Sequence, residues 1–492
     1  MQPARVWRIS GLAVCFALAV LRSTAAFAEG ESEAERDAAW RAGIGAAANA
    51  RGFQGAAVSM LVIDRASSEE LFAKTPERAL APASTQKLLT ALAALDAFGA
   101  GHQFETQLLV PALPGADGVV ASLAVRGADP ALTGEQWWRL AADLRALGVT
   151  EIAGDVALDD SLFDAERWHP SWQPVSARAY HAPIGALAAN YGAFRVIVSP
   201  GASVGAPARV QLDPPLPYFS LANAARTVKP GAAASLEVDR ALAAGGGERV
   251  SVRGSVALGA DRVEIWRSVI EPVGYAAAVF RSQLEAAGIR VRGTVAAGSA
   301  PAESVVLYTF EGLPLRTVAD LLLKYSNNFI AEALLKQLGQ LDTGAPGSWQ
   351  NGAAAMRARL AALGLPLEGA VLVDGSGLSR DNRVSARLLV AALRRADESF
   401  AIGPDLLAGL PIAAEDGTLR KRAEGARGMV RAKTGTLDGV TALAGYARTE
   451  SGRELAFALI SNGHRRGDVE AIAAADDFAA ALVRDGAATP HP

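Results

Sequence analysis

The chain has 492 residues, too many for a single core of roughly 100–200 residues, so two or more domains are expected. Hydrophobic residues make up 50% and charged residues 20%, with 49 Gly and 24 Pro as ordinary punctuation, which excludes a disordered chain. The 48 basic and 51 acidic residues nearly cancel, which excludes the electrostatic footprint of a nucleic-acid binder or of a protein drawn to an anionic membrane.

At the N-terminus Arg5 and Arg8 precede an apolar run from Ile9 to Leu21, and Ala26-Phe27-Ala28 offers small residues where a signal peptidase cuts. Residues 1–28 therefore read as a cleavable secretory signal, since the run is short for a membrane span of about 20 residues. The mature chain is expected to be exported, to the periplasm, with peripheral contact at the inner membrane left open. The single cysteine, Cys15, falls inside the signal, and Val14 before it is too bulky for a lipoprotein signal. A mature chain without a thiol has no Cys nucleophile, Cys metal site or disulfide.

Next comes a polar, Ala-rich helical stretch at Glu31–Ala50, then strand character at Gly55–Asp64 with a hairpin partner at Glu70–Ala73. A helix follows, because Leu88, Leu92 and Leu95 recur at i, i+4, i+7, and Gly99 supplies its stop. Between Gln103 and Pro301 the runs are short and strand-like: Gln107–Val110, Val119–Val125, Phe194–Val198, Arg249–Val256 and Arg262–Val269. Helical periodicity returns at Thr317–Tyr325, Ile330–Leu338, Gly352–Leu363 and Ser385–Ala396. The runs Gly428–Ala432, Val440–Ala447 and Leu455–Ile460 are spaced for an antiparallel meander, and Asp476–Arg484 reads as a last helix. The fold class expected is α+β. Trp137, Trp138 and Trp172 read as core or domain-contact aromatics.

Several catalytic signatures fail. His102, His169, His181, His464 and His491 form no HExxH pair or other metal spacing, so no metal and no cofactor are expected. Gly201-Ala202-Ser203-Val204-Gly205 matches GxSxG, but extended chain follows it where a nucleophile elbow needs a helix, so it reads as a loop.

One constellation survives. Ser84-Thr85-Gln86-Lys87 is an SxxK at the start of the first clear helix, where a Lys one turn after a Ser shares its face and can take the hydroxyl proton. Ser326-Asn327-Asn328 is an SxN after a helix, offering a second hydroxyl for proton relay and an amide for a substrate carbonyl. Lys433-Thr434-Gly435-Thr436 ends a strand, offering a cation, hydroxyl donors and a Gly against which a substrate backbone can lie. Lysine usage sharpens this: apart from Lys74, Lys229, Lys324, Lys336 and Lys421, every lysine is in one of these motifs, and surface cations are mostly Arg. Lysine matters where a proton must leave, because a guanidinium keeps its charge.

The ordered set SxxK, SxN, KTG resembles the penicillin-binding proteins. The long separation between Ser84 and Ser326 narrows this to the class C low-molecular-mass D-alanyl-D-alanine carboxypeptidase/endopeptidase family, supported by Ala81-Pro82-Ala83, Ala331-Glu332, Asp374–Arg380 and Leu443–Tyr446. The resemblance implies a serine penicillin-recognising, transpeptidase-like domain built from residues 29–105 and 306–492. β-rich inserted domains would occupy 106–305, with a middle one, about 119–200, nested in the other. It further implies that Ser84 is the acylated nucleophile, Lys87 its base, Ser326 the proton relay and Asn328 the residue holding substrate and Lys87. Lys433, Thr434 and Thr436 would hold a terminal carboxylate beside Gly435, and the N–H groups of Ser84 and Thr436 would form an oxyanion hole. Tyr180 and Arg380 would line the stem-peptide pocket, although Val175 and Ser176 stand where an acidic partner is expected; Arg380 reads equally as an ion-pair partner of Asp374 or Asp381. The partners implied are peptidoglycan stem peptides and β-lactams as covalent inhibitors, with no nucleic acid. Two alternatives stay open: a β-lactamase or esterase on the same fold, and a non-catalytic cell-wall-binding protein.

Overall fold

The computed structural model describes residues 32–486, so the secretory signal read at residues 1–28 lies outside them. The chain begins with α1 (Glu33–Ala48), β1 (Ala57–Asp64), β2 (Glu70–Lys74) and α2 (Gln86–Phe98), the last stopped by Gly99 at φ 83°. The end of the chain returns to the same body. After β17 (Val305–Pro314) come α5 (Leu315–Lys324), α6 (Asn328–Thr343), α7 (Trp349–Ala362), α8 (Ala386–Asp397) and α9 (Gly403–Gly409). Strands β18 (Val430–Leu437), β19 (Val440–Arg448) and β20 (Glu454–Asn462) and helix α10 (Asp468–Val483) complete it.

The main sheet is antiparallel, in the order β18-β19-β20-β1-β2. Its central strands β1, β19 and β20 are apolar on both sides because both faces are covered. Met60 and Val62 of β1 point into a core closed by α1 and α10, while Leu61 and Ile63 point into a second core with α2 and α5–α8. In β20 the same alternation sends Phe457 and Leu459 one way and Ala458 and Ile460 the other.

Between α2 and α5 the chain leaves along β3 (Gln103–Val110) and comes back along β17, paired antiparallel from Gln103↔Pro314 to Val110↔Val305. This ladder returns the chain to its point of departure. Leu315 N bonds His102 O at 2.7 Å and Arg316 N bonds Ala100 O at 2.9 Å, so the start of α5 is tied to the end of α2.

The stretch between these strands is not only β. It holds β4 (Val119–Val120), β5 (Leu123–Gly127), α3 (Gly134–Ala146), β6 (Glu151–Ile152), β7 (Val156–Asp159) and the strands β8–β14 within residues 193–268. Then come α4 (Pro272–Ala286), β15 (Arg290–Val291) and β16 (Val295–Ala297). Helices α3 and α4 correct the all-strand reading: α3 buries Trp137, Leu140, Ala141 and Leu144, while Trp138 is 54% exposed and so is no core residue. The run Val119–Val125 divides between two sheets, because β4 pairs in parallel with β6 while β5 pairs with β7 and β3.

The nesting also differs from expectation. Residues 119–159 join β15 and β16, far along the chain, whereas residues 193–268 form their own sheets, so the enclosed segment is the latter rather than 119–200. Parallel pairs need a long crossover, and here that crossover contains the entire 193–268 segment.

Candidate active site

Ser84 lies in a 3-10 turn, Ala83–Thr85, that runs directly into α2. Ala83 has φ 46°, a left-handed backbone that costs an L-residue about 1–3 kcal/mol and is kept only where packing dictates it. Packing does so here. A side chain at Gly377 would stand 1.9 Å from Ala83 O, so the chain at 377 presses against this turn as only a glycine can.

Lys87 is one turn beyond Ser84 and wholly buried. Its Nζ lies 3.0 Å from Ser84 Oγ, 2.7 Å from Asn328 Oδ1 and 2.8 Å from Ser376 O. Asn328 opens α6, and its Nδ2 donates to Tyr180 O at 3.0 Å, which fixes the amide so that Oδ1 faces Lys87. A neutral amine has two N–H donors and one lone pair. Asn328 Oδ1 and Ser376 O accept the two N–H bonds, which leaves the lone pair for the Ser84 hydroxyl proton. Burial pushes the Lys87 ammonium down to about 7, with the Glu332 and Asp374 carboxylates pulling the other way.

Ser326 sits between α5 and α6 with φ 58°. Its Oγ accepts from Lys433 Nζ at 2.9 Å, and Lys433 also donates to Thr434 O at 2.8 Å. Lys433 is held well below the usual lysine range, first by burial and then by the like charge of Lys87. Strand β18 ends the main sheet. Its first residues are covered by the chain at Pro411–Ala413, leaving Lys433–Leu437 to face the Ser84 turn. The approach is close: a Cβ at Gly435 would lie 2.8 Å from Pro82 O and 3.1 Å from Ser84 N.

These groups border a cleft of about 490 Å³ in which Ser84, Ser326, Asn328, Thr436, Tyr180 and Arg380 meet. The structure thus brings together residues drawn from all three motifs. Thr434 is not among the cleft-lining residues; its hydroxyl lies 2.7 Å from Thr418 Oγ1. Arg380 is exposed at the cleft, while Asp374, one of the ion-pair partners considered for it, is instead bound by Trp172, Asn382 and backbone N–H groups. Trp172 thereby serves both as a cleft wall and as a hydrogen-bond donor. Leu378, from the run Asp374–Arg380, lines the cleft as well, and so do Leu437 and Asp438, which nothing in their local pattern marks.

A larger group went unassigned. Glu332 and Asp374 are fully buried carboxylates, and Lys336 is a fully buried lysine that binds Asp164 Oδ1 at 2.6 Å and lies 3.9 Å from the Trp349 ring centroid. The available signal was the spacing of Asn328, Glu332 and Lys336 at i, i+4, i+8, with only apolar residues between them.

The sequence matches the model of the D-Ala-D-Ala carboxypeptidase 3 (S13) family over residues 42–482. It is 39% identical over 429 residues to the D-alanyl-D-alanine carboxypeptidase of Actinomadura sp. (strain R39), covering 84% of this chain and 78% of that protein. It is 29% identical over 401 residues to the D-alanyl-D-alanine carboxypeptidase DacB of Haemophilus influenzae, covering 79% and 81%. The crystal structure of penicillin binding protein 4 (dacB) from Haemophilus influenzae superposes with a TM-score of 0.76 at 26% identity, covering 89% of this chain and 98% of that one. A structure of the same Haemophilus protein complexed with a β-lactam superposes with a TM-score of 0.71. With its motifs assembled in one cleft and a family match that spans nearly all described residues, this chain belongs to the D-Ala-D-Ala carboxypeptidase 3 (S13) family.

Proposed function

We propose that the chain is a serine D-alanyl-D-alanine carboxypeptidase that works through an acyl-enzyme on Ser84. The observation that carries this is the hydrogen-bond accounting at Lys87, whose two N–H bonds are taken by Asn328 and Ser376 so that its lone pair meets Ser84 Oγ. Membership of the family supplies the substrate class.

In this reading the Ser84 proton passes to Lys87 as Oγ bonds the carbonyl carbon of the penultimate D-Ala. The oxyanion that forms is met by the N–H groups of Ser84 and Thr436, an arrangement worth about 10²–10³ in rate per donor in other enzymes. The C–N bond then breaks as the leaving amine takes a proton through Ser326 Oγ, and D-Ala departs. That proton is the one Lys87 had accepted, so the amine of Lys87 is neutral again. Water then hydrolyses the ester as its oxygen bonds the carbonyl carbon, Lys87 takes one of its protons, and the same proton passes to Ser84 Oγ as the C–Oγ bond breaks. Lys433 and Thr436 hold the terminal carboxylate of the substrate, and Tyr180 and Arg380 border the stem. A cross-link between D-Ala and diaminopimelate has the same bond at its centre, so endopeptidase action needs no further chemistry. β-Lactams enter as covalent inhibitors of Ser84, and the signal read at residues 1–28 supports a periplasmic site of action.

The test is intact mass of the mature protein with and without benzylpenicillin, peptide mapping of the adduct, and assay of D-Ala release from a D-Ala-D-Ala peptide. One stable adduct on the Ser84 peptide together with D-Ala release is the expected result. Penicillin destroyed with fast turnover and no D-Ala released makes the protein a β-lactamase. No adduct and no turnover makes it a binder.

A further inference from the structure

The loop Asp374–Ser379 passes under the nucleophile and is held by two buried carboxylates. Glu332, one turn after Asn328 in α6, accepts from Ser376 N at 2.7 Å, Gly375 N at 3.0 Å and Trp349 Nε1 at 2.8 Å. Asp374 accepts from Ser379 N at 2.6 Å, Gly377 N at 2.8 Å, Asn382 Nδ2 at 2.8 Å and Trp172 Nε1 at 2.9 Å. The loop carbonyls face the other way, onto α2. Gly375 O accepts from Thr90 Oγ1 at 2.7 Å, Asp374 O from Gln86 Nε2 at 3.3 Å, and Ser376 O from Lys87 Nζ at 2.8 Å. The loop is therefore a spacer between two helices, with the Gly375 and Ser376 N–H groups towards α6 and the carbonyls of 374–376 towards α2. It fits only because residue 375 is Gly: a Cβ there would lie 2.5 Å from Ala331 O.

We propose that Glu332 is a positioning residue for acylation, its carboxylate fixing the Ser376 carbonyl against Lys87 and setting a negative charge close to that amine. This rests on the reading of Lys87 as the base. A charge is not needed merely to accept from three N–H groups, because neutral oxygens accept as well, and an isolated buried carboxylate is costly. What the charge adds is control of the amine. Three titratable groups act on Glu332: Lys87 from α2, Asp374 from the loop and Lys336 from its own helix; His169 stands behind the Trp349 ring, 5.6 Å from it. A negative charge here favours the ammonium form of Lys87, so removing it frees the lone pair at lower pH. Burial and Asp374 raise the Glu332 carboxyl to about 7, while the loop N–H groups and Trp349 hold it down.

The experiment is the second-order rate of Ser84 acylation by benzylpenicillin against pH, for the full mature protein and for Glu332→Gln and Trp349→Phe. Glu332→Gln keeps the shape, removes the charge and turns an amide N–H towards a loop N–H. The plateau rate is expected to fall about tenfold or more, and the acidic limb to move about one pH unit lower. Trp349→Phe removes one of three donors to the carboxylate, which then protonates more readily, so its limb moves the same way by less; it decides the matter if Glu332→Gln fails to fold. A purely structural role lowers the rate without moving the limb. An acidic limb at the native pH in both variants overturns the proposal while leaving the Ser84 reading intact. A native protein that benzylpenicillin does not acylate overturns both.

Discussion

Lys433 Nζ donates to Ser326 Oγ at 2.9 Å, joining two motifs 107 positions apart in the chain. Ser326 holds a left-handed φ of 58°, and its hydroxyl is the group aimed between the lysine and the cleft. Ser326→Ala removes that hydroxyl and leaves a buried Lys433 donor unmatched. The kcat/KM for D-Ala release is expected to fall about 10²–10⁴-fold, the range for loss of a positioned acid–base group, and steady-state assay of D-Ala release checks it. Loss of less than tenfold would remove Ser326 from the proton path.

Asn328 touches the base directly, where Glu332 acts on it through Ser376. Below about 7 the Lys87 amine is protonated and has no lone pair, so acylation is expected to fall tenfold per pH unit on that limb. Asn328→Asp replaces the Oδ1 contact of 2.7 Å with a carboxylate, which stabilises the ammonium form. The acidic limb should therefore move to higher pH, the reverse of Glu332→Gln. A rate–pH profile with benzylpenicillin reads both, and movement in one direction for both variants would contradict the assigned charges.

Burial and Lys87 hold Lys433 well below the usual lysine range, so it gives up its proton readily. An incoming carboxylate favours the ammonium, and binding should be accompanied by proton uptake. Calorimetric titration of a Ser84→Ala variant with a D-Ala-D-Ala peptide, in buffers of different ionisation enthalpy, measures this directly. Binding enthalpies that do not vary with the buffer would show Lys433 already charged.

Gly435 is required by space rather than by dihedral. Gly435→Ala places a methyl group 2.8 Å from Pro82 O and 3.1 Å from Ser84 N, both backbone atoms that cannot swing aside. The strand must move off the nucleophile turn, at about 1–3 kcal/mol for overpacking. The expected result is a Tm lower by several degrees and acylation slowed about 10²-fold or more, read by thermal melting and by mass.

The parts legible in the sequence are those whose pattern is local. Leu88, Leu92 and Leu95 announce α2, and the β1 and β20 runs announce strands, because burial follows the period of the element. Ser84, Lys87, Ser326, Asn328 and Lys433 stand out because proton transfer restricts residue types. Helix α4 was missed because Ala276, Ala277, Val279 and Phe280 leave few polar positions to mark a stripe. Residues 119–125 were read as one strand because what divides them is pairing with partners far along the chain. The role of Glu332 depends on Gly375, Ser376 and Trp349, and nothing near Glu332 in the sequence points to them.

The order of the main sheet has a consequence for biosynthesis. Strand β1 leaves the ribosome early, yet one of its two neighbours, β20, is made near the end, and the strand bearing Lys433 is added only at the far edge. Ser84 and Lys87 must therefore wait, unassembled, until residues up to Asn462 have followed them. Such long-range closure is slow and exposes apolar strands meanwhile. It also makes the nucleophile self-guarding: truncated chains carry Ser84 and Lys87 but no facing wall, so labelling by a fluorescent penicillin should register only chains that have been finished and folded.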